Sequence, residues 1–256
     1  MIADQLDVPL ETLRSQMLIE PAWEVKKTSE GKNVFWYGFK GHLAVGTKSQ
    51  YILQSIMSSD SLNDGKAAIP LLKGLQKLPL SVRYGIMDAG YGSVPIYQQI
   101  YRMEAHSILA YNKRNEGETL GFDPRFAPTC VREYLYRYDS YDPKYKTLTF
   151  ARPKECKDCP LALDSLCQKI YKTWIETDIR RHTAPARGTK KWEELYDQRT
   201  VVERVIAYLK EFFQLNHVRY RTGKKAKFHF DLVTLVYNAP KLAADRIGKE
   251  LKKTPT

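Results

Sequence analysis

The stretch Tyr196-Asp197-Gln198-Arg199-Thr200-Val201-Val202-Glu203-Arg204-Val205-Ile206-Ala207-Tyr208-Leu209-Lys210 decides how the rest of the chain is read. Leu195, Val202, Val205, Ile206, Leu209, Phe212 and Phe213 recur at three- and four-residue steps, which predicts one amphipathic helix. At about 100° per residue, Tyr196, Arg199, Glu203 and Lys210 fall within an arc of roughly 60° beside the apolar stripe. The plain reading of such a row is a solvated face with an Arg199–Glu203 pair at i,i+4.

The spacing is more specific than that. Tyr, two residues, Arg, three residues, Glu, six residues, Lys resembles the Y-R-E-K signature of bacterial insertion-sequence transposases with a DDE catalytic core, and all four positions match. The resemblance implies that Glu203 is the third metal-binding carboxylate. It implies that Arg199 and Lys210 handle DNA near the scissile phosphate, with Tyr196 in support. Tyr37-Gly38-Phe39-Lys40-Gly41-His42-Leu43-Ala44-Val45 is similar to the "GYK-hLaV" strand of the same family. His42 itself reads as a strand residue and not a ligand.

Arg83–Met87 reads as a buried strand, followed at once by Asp88-Ala89-Gly90-Tyr91 and a helix from Ser93. An acidic residue at the carboxyl edge of a strand in an α/β sheet is well placed to meet a ligand. The segment resembles the family's "aDrGY" box, which gives Asp88 the role of second catalytic aspartate. Where relatives show an Asp-Pro box on the opening strand, here read at residues 17–21, this chain has Glu20-Pro21-Ala22-Trp23. Glu20 is thus the expected first carboxylate, one methylene longer than an aspartate. Asp60 and Asp64 are weaker substitutes because they follow the third strand, and Asp64 also reads as a helix N-cap. Gly46 stands where relatives often carry an aspartate.

The resemblance implies an α/β fold: a ribonuclease H-like mixed sheet flanked by helices, with a Cys-containing insertion before the last catalytic helix. Residues 1–110 are the expected first part of the core, 111–190 the insertion, and 191–256 the closing helices. Within the last part, Phe228–Tyr237 reads as a helix that Asn238-Ala239-Pro240 breaks or kinks, and Lys241–Lys253 as a polar tail. Residues 1–17 are too short for the DNA-end-binding region of full-length relatives, which implies an N-terminally truncated domain.

Composition agrees with a nucleic-acid partner. The 256 residues carry a formal charge of +12. Residues 180–227 hold 13 Lys or Arg against 5 Asp or Glu, a net of +8. Arg219, Arg221, Lys224 and Lys225 alternate with aromatics and are expected DNA contacts, suited to phosphate binding with ring packing. No run of 18 apolar residues and no signal-peptide pattern occurs, so membrane and export classes are set aside and a cytoplasmic, nucleoid-associated protein is expected. No Gly-rich phosphate loop points to a nucleotide-driven enzyme. The resemblance further implies Mg2+ or Mn2+, transposon-end and target DNA, and a homodimer assembled on DNA.

All 4 cysteines, Cys130, Cys156, Cys159 and Cys167, lie in the expected insertion. Cys156-x2-Cys159 has the spacing that grips one tetrahedral Zn2+, with Cys130 and Cys167 able to complete it. Buried free thiols are the competing reading. Three functions stay open: an active transposase domain, a catalytically inactive remnant that binds DNA, and a zinc-organised nucleic-acid protein.

Overall fold

The computed structural model describes all residues except 29, 114, 115, 118, 163–166, 221 and 252–256. The protein is α/β and packs as two units, Met1–Ser81 with Arg199–Thr256, and Val82–Gln198.

The first unit is built on an antiparallel sheet of order β1-β2-β3, with β1 Ala22–Lys27, β2 Asn33–Val45 and β3 Ile52–Ser59. The apolar runs in β2 and β3 pair as expected, His42 opposite Ile56 and Leu43 opposite Ser55. β1 pairs with the first half of β2, Trp23 opposite Tyr37, and their rings lie 5.3 Å apart. Sequence reading missed β1 because Trp23 and Val25 are both exposed, so no buried face marks it.

Four helices belong to this unit: α1 (Leu10–Ser15), α2 (Asp64–Gln76), α5 (Thr200–Phe212) and α6 (Gly223–Leu251). Asn63, one residue ahead of the expected cap Asp64, caps α2 by accepting the Gly65 N–H at 2.9 Å. α6 runs through Pro240 to Leu251, so the helix is not broken there and the expected tail from Lys241 continues it. Proline removes one backbone donor there. The carbonyl one turn earlier belongs to Val236, which is 44% exposed, so water can satisfy it. Two glycines set how α6 docks. A Cβ on Gly41 would lie 2.8 Å from the Phe230 ring, and one on Gly223 would lie 1.8 Å from the Ile19 carbonyl oxygen. Both contacts require a missing side chain. Ile52, Val205, Leu209, Val233 and Tyr237 form one core cluster, and Met57, Ala226 and Phe230 another.

The second unit contains a parallel pair, β4 (Tyr84–Met87) and β5 (His106–Leu109), joined by α3 (Val94–Arg102). Ser93 precedes α3 and proline sits in its first turn, as a helix start demands. α4 (Lys190–Tyr196) packs Trp192 and Leu195 on Ile108. An antiparallel sheet of order β6-β7-β8 follows, from Arg137–Asp142, Thr147–Ala151 and Ile170–Trp174. Leu148 and Phe150 are its most deeply buried residues.

Candidate active site and nucleic-acid interface

Asp88 stands immediately after β4, in extended conformation, and is exposed. Its carbonyl accepts the Tyr91 N–H at 3.1 Å, which folds Ala89–Tyr91 into a 3-10 turn. Gly92 makes the turn possible: a Cβ there would lie 3.0 Å from the Ala89 carbonyl oxygen and 3.7 Å from Asn112. The side chains of Asp88 and Asn112 thus belong to segments leaving the carboxyl ends of two adjacent parallel strands, the position where α/β sheets bind ligands. Asn112 was not singled out by sequence reading, because a lone asparagine after a strand reads as a turn residue.

The expected single helix from Leu195 onward is broken. α4 ends at Tyr196, a 3-10 turn spans Asp197–Arg199, and α5 begins at Thr200. Tyr196 stacks on Trp192 with ring centroids 5.0 Å apart and joins the apolar cluster of the second unit. Arg199, Glu203 and Lys210 belong to the first unit. Glu203, in the first turn of α5, and Lys210, in its last, are both exposed. Those places suit their charges: carboxylates are favoured at a helix N-terminus and ammonium groups at a C-terminus. Val201, Val205 and Leu209 form the buried face, so Glu203 is held on a rigid element.

Glu20 is exposed in a bend ahead of β1, and residues 17–21 form no strand, contrary to expectation. The segment is nonetheless anchored. Leu18 O accepts the Ser59 N–H at 2.7 Å, and Ile19 lies against Gly223. Lys40 on β2 sits 3.6 Å from Glu24 and 3.5 Å from Asp64. His42 Nε2 lies 2.9 Å from Ser58 Oγ, and burial pushes its pKa down to about 4. His42 is therefore a neutral strand residue. Asp60 is 2% exposed, burial raises its pKa, and its Oδ2 has no hydrogen-bond partner.

The basic segment divides into two kinds of residue. Arg219, Lys224 and Lys225 are exposed, with Tyr220 and His229 packed at 5.3 Å nearby; Arg221 lies outside the described residues. Arg180, Arg181 and Arg187 are consumed internally. Arg180 and Arg181 bind Glu116 at 2.6 and 3.1 Å. With the Tyr111 hydroxyl first among its partners, Glu116 is held down to about 2. Arg187, 7% exposed, donates to the carbonyls of Leu109 and Arg180 and to the Tyr97 hydroxyl. Composition alone could not separate these arginines from solvent-facing ones.

All four cysteines are free; Cys156 is buried and the other three are half-buried. Among the described residues, no three His, Cys, Asp or Glu side chains stand together as a metal cage. Among them, too, no helix is long and apolar enough to cross a membrane.

The family described as Transposase DDE domain matches residues 3–239. The chain belongs to this DDE transposase family. Comparison with curated proteins and with solved structures gave no match. For the transposase domain, the match covers the Asp88 turn, the Glu203 helix and the Cys-containing segment together.

Proposed function

We propose that this transposase domain cleaves DNA strands and joins the freed 3′-hydroxyl to target DNA, on a ribonuclease H-like core. The observation that carries the reading is Asp88: an exposed carboxylate at the carboxyl end of β4, backed by a tight Gly-containing turn, in a chain whose family match runs from residue 3 to 239. Asp88, just after β4, and Glu203, in the first turn of α5, are hard oxygen donors, which fits Mg2+ or Mn2+. Glu20 is the third expected ligand, in an anchored bend. Such ions, when bound, polarise the phosphate and neutralise charge that develops at the attacking and leaving oxygens.

The chain's own residues do the rest. Arg199 and Lys210 neutralise phosphate charge, Arg219, Lys224 and Lys225 hold the backbone of transposon-end or target DNA, and Tyr196 supports Arg199 in sequence. Two copies assemble on DNA in a cytoplasmic, nucleoid-associated complex. Relaxation of supercoiled plasmid with Mn2+ tests the reading. Wild-type protein is expected to nick, and Asp88→Ala and Glu203→Ala to fail while still binding DNA.

A second reading, a DNA-binding remnant without turnover, is favoured by one feature. Glu20 replaces an aspartate and sits in a bend, and metal sites tolerate ligand shifts of about 1 Å poorly. On this reading wild type binds DNA without nicking, and Glu20→Asp restores nicking.

A further inference from the structure

α6 is apolar on two opposite sides. Ala226, Phe230, Val233 and Tyr237 face the core and are buried. Phe228, Leu232, Leu235 and Leu242 are between 45% and 71% exposed. At about 100° per residue, this second stripe lies roughly opposite the first. A helix packed on its own core needs one apolar stripe, so nothing within the unit accounts for the second. Its spacing is that of a helix–helix seam. Phe228, Leu232, Leu235, Ala239 and Leu242 follow one another at steps of 4, 3, 4 and 3 residues, the a/d repeat of a coiled coil. Leu232 and Ala239 take a, and Phe228, Leu235 and Leu242 take d. Pro240 lies about 120° round the helix from the centre of the seam, and the helix continues through it.

A second copy of the chain fits this face by area, shape and charge. The four large side chains leave roughly 400 Å2 of apolar surface open, at about 150–200 Å2 for a side chain of this size. Val236, exposed on the flank, adds to it. A standard dimer interface buries about 800 Å2 per partner, a little over half of it apolar, so the face is close to sufficient. In antiparallel pairing the a residues of one helix meet the d residues of the other. Phe228 then meets Ala239 of the partner subunit, and Leu232 meets Leu235 of the partner subunit. Each contact occurs twice about a two-fold axis, and the largest side chain faces the smallest. At the flanking g positions, Lys224 meets Asp245 of the partner subunit, opposite in charge, and both positions are exposed. A lipid surface would call for a rim of Lys and Arg, whereas this rim also carries Asp231 and Asp245. Stacked DNA bases would call for aromatic rings, and Phe228 is the only one in the seam.

We infer that the outer face of α6 pairs antiparallel with α6 of a second copy, giving a homodimer that forms without DNA. The inference names a surface for the two-copy assembly proposed above and rests on that part of the reading, not on the phosphoryl-transfer chemistry.

The test is sedimentation equilibrium of the full chain, without DNA and in reducing buffer. A monomer–dimer equilibrium is expected, with a dissociation constant of about 10 μM or tighter. Leu235→Glu puts an unpaired carboxylate into the seam and should weaken the dimer by at least about a hundredfold. Leu235 is 66% exposed in the single chain, so the circular dichroism of that variant should match wild type. Lys224→Asp should weaken the dimer by roughly tenfold through like charges across the flank, and Lys224→Asp/Asp245→Lys should restore it. An Asp88→Ala/Glu203→Ala protein should dimerise as wild type does, which separates failure of this surface from failure of the transposase reading. A chain that stays monomeric, a dimer indifferent to Leu235→Glu, or a charge swap that fails to restore pairing would each overturn the inference. So would a monomer that binds anionic vesicles and loses them on Leu235→Glu, since the face would then belong to a lipid surface.

Discussion

The side-chain amide of Asn238 grips both backbone groups of Ile52: the Ile52 N–H donates to Oδ1 at 3.0 Å, and Nδ2 donates to the Ile52 carbonyl at 2.8 Å. The pair locks the middle of α6 to the first residue of β3, on the sheet that also supports α5. Asn238→Ala leaves two partly buried main-chain groups without partners and is expected to cost about 1–3 kcal/mol. Urea or thermal unfolding measures it. An unchanged midpoint would show that water replaces the amide at no cost.

The glycine at the start of α6 controls the segment that carries Glu20. Gly223→Ala drives a methyl group into the Ile19 carbonyl, so the backbone must move. Overpacking of this kind costs about 1–3 kcal/mol. Hydrogen exchange should show faster exchange at Ser59, whose amide is bonded to Leu18, and unaltered protection in β6–β8. Equal exchange at Ser59 in both proteins would contradict the contact.

His42 makes stability pH-dependent. Its folded pKa is depressed to about 4 from the ordinary 6.5, because burial penalises the charged ring more than Asp64 favours it and Lys40 opposes it further. A group depressed in the folded state gives stability that is present above its unfolded pKa and lost as pH falls toward the folded value. Unfolding free energy is therefore expected to drop by on the order of 3 kcal/mol between about pH 6.5 and 4. His42→Gln should be flatter across that window. A variant with the same pH slope as wild type would assign the loss to other groups.

The two kinds of basic residue should separate in DNA binding. Arg219→Ala, Lys224→Ala and Lys225→Ala are each expected to reduce the slope of log affinity against log salt by up to about 0.9. Arg180→Ala and Arg181→Ala should leave that slope unchanged and lower thermal stability slightly, by about 1 kcal/mol or less, since Glu116 is partly solvated. Equal salt slopes for all five variants would remove the distinction.

Much of the architecture is legible in sequence, for a physical reason. β3, α2, α3 and β5 bury apolar residues, and glycine, proline or a small polar residue marks their ends; β2 and β4 only half-bury theirs, so the strand at Arg83–Met87 is less buried than expected. The break between Tyr196 and Thr200 is not legible. A 3-10 turn of three residues barely disturbs a helical hydrophobic pattern, yet Leu195 buries in one unit and Val205 in the other. β1 escapes because its two large apolar side chains, Trp23 and Val25, face solvent. Pro240 misleads because an exposed turn tolerates the lost bond, and Arg187 because nothing local distinguishes a buried guanidinium from a DNA-facing one. The place of Asp88 at the end of β4 was legible because strand, acid and glycine turn are contiguous. Asn112 was not, because its relation to Asp88 exists only once β4 and β5 pair.

The proposed function requires that Asp88 and Glu203 serve one phosphoryl-transfer reaction, and the non-additivity of their removal tests it most directly. Nicking rates on supercoiled DNA with Mn2+ should be measured for wild type, Asp88→Ala, Glu203→Ala and the double variant, all folded and all DNA-binding. Each single change is expected to lower the rate by at least about a hundredfold, and the double variant to be no slower than either single one, as for residues acting as a unit. Wild-type rates in either single variant, or losses that multiply in the double, would contradict the account.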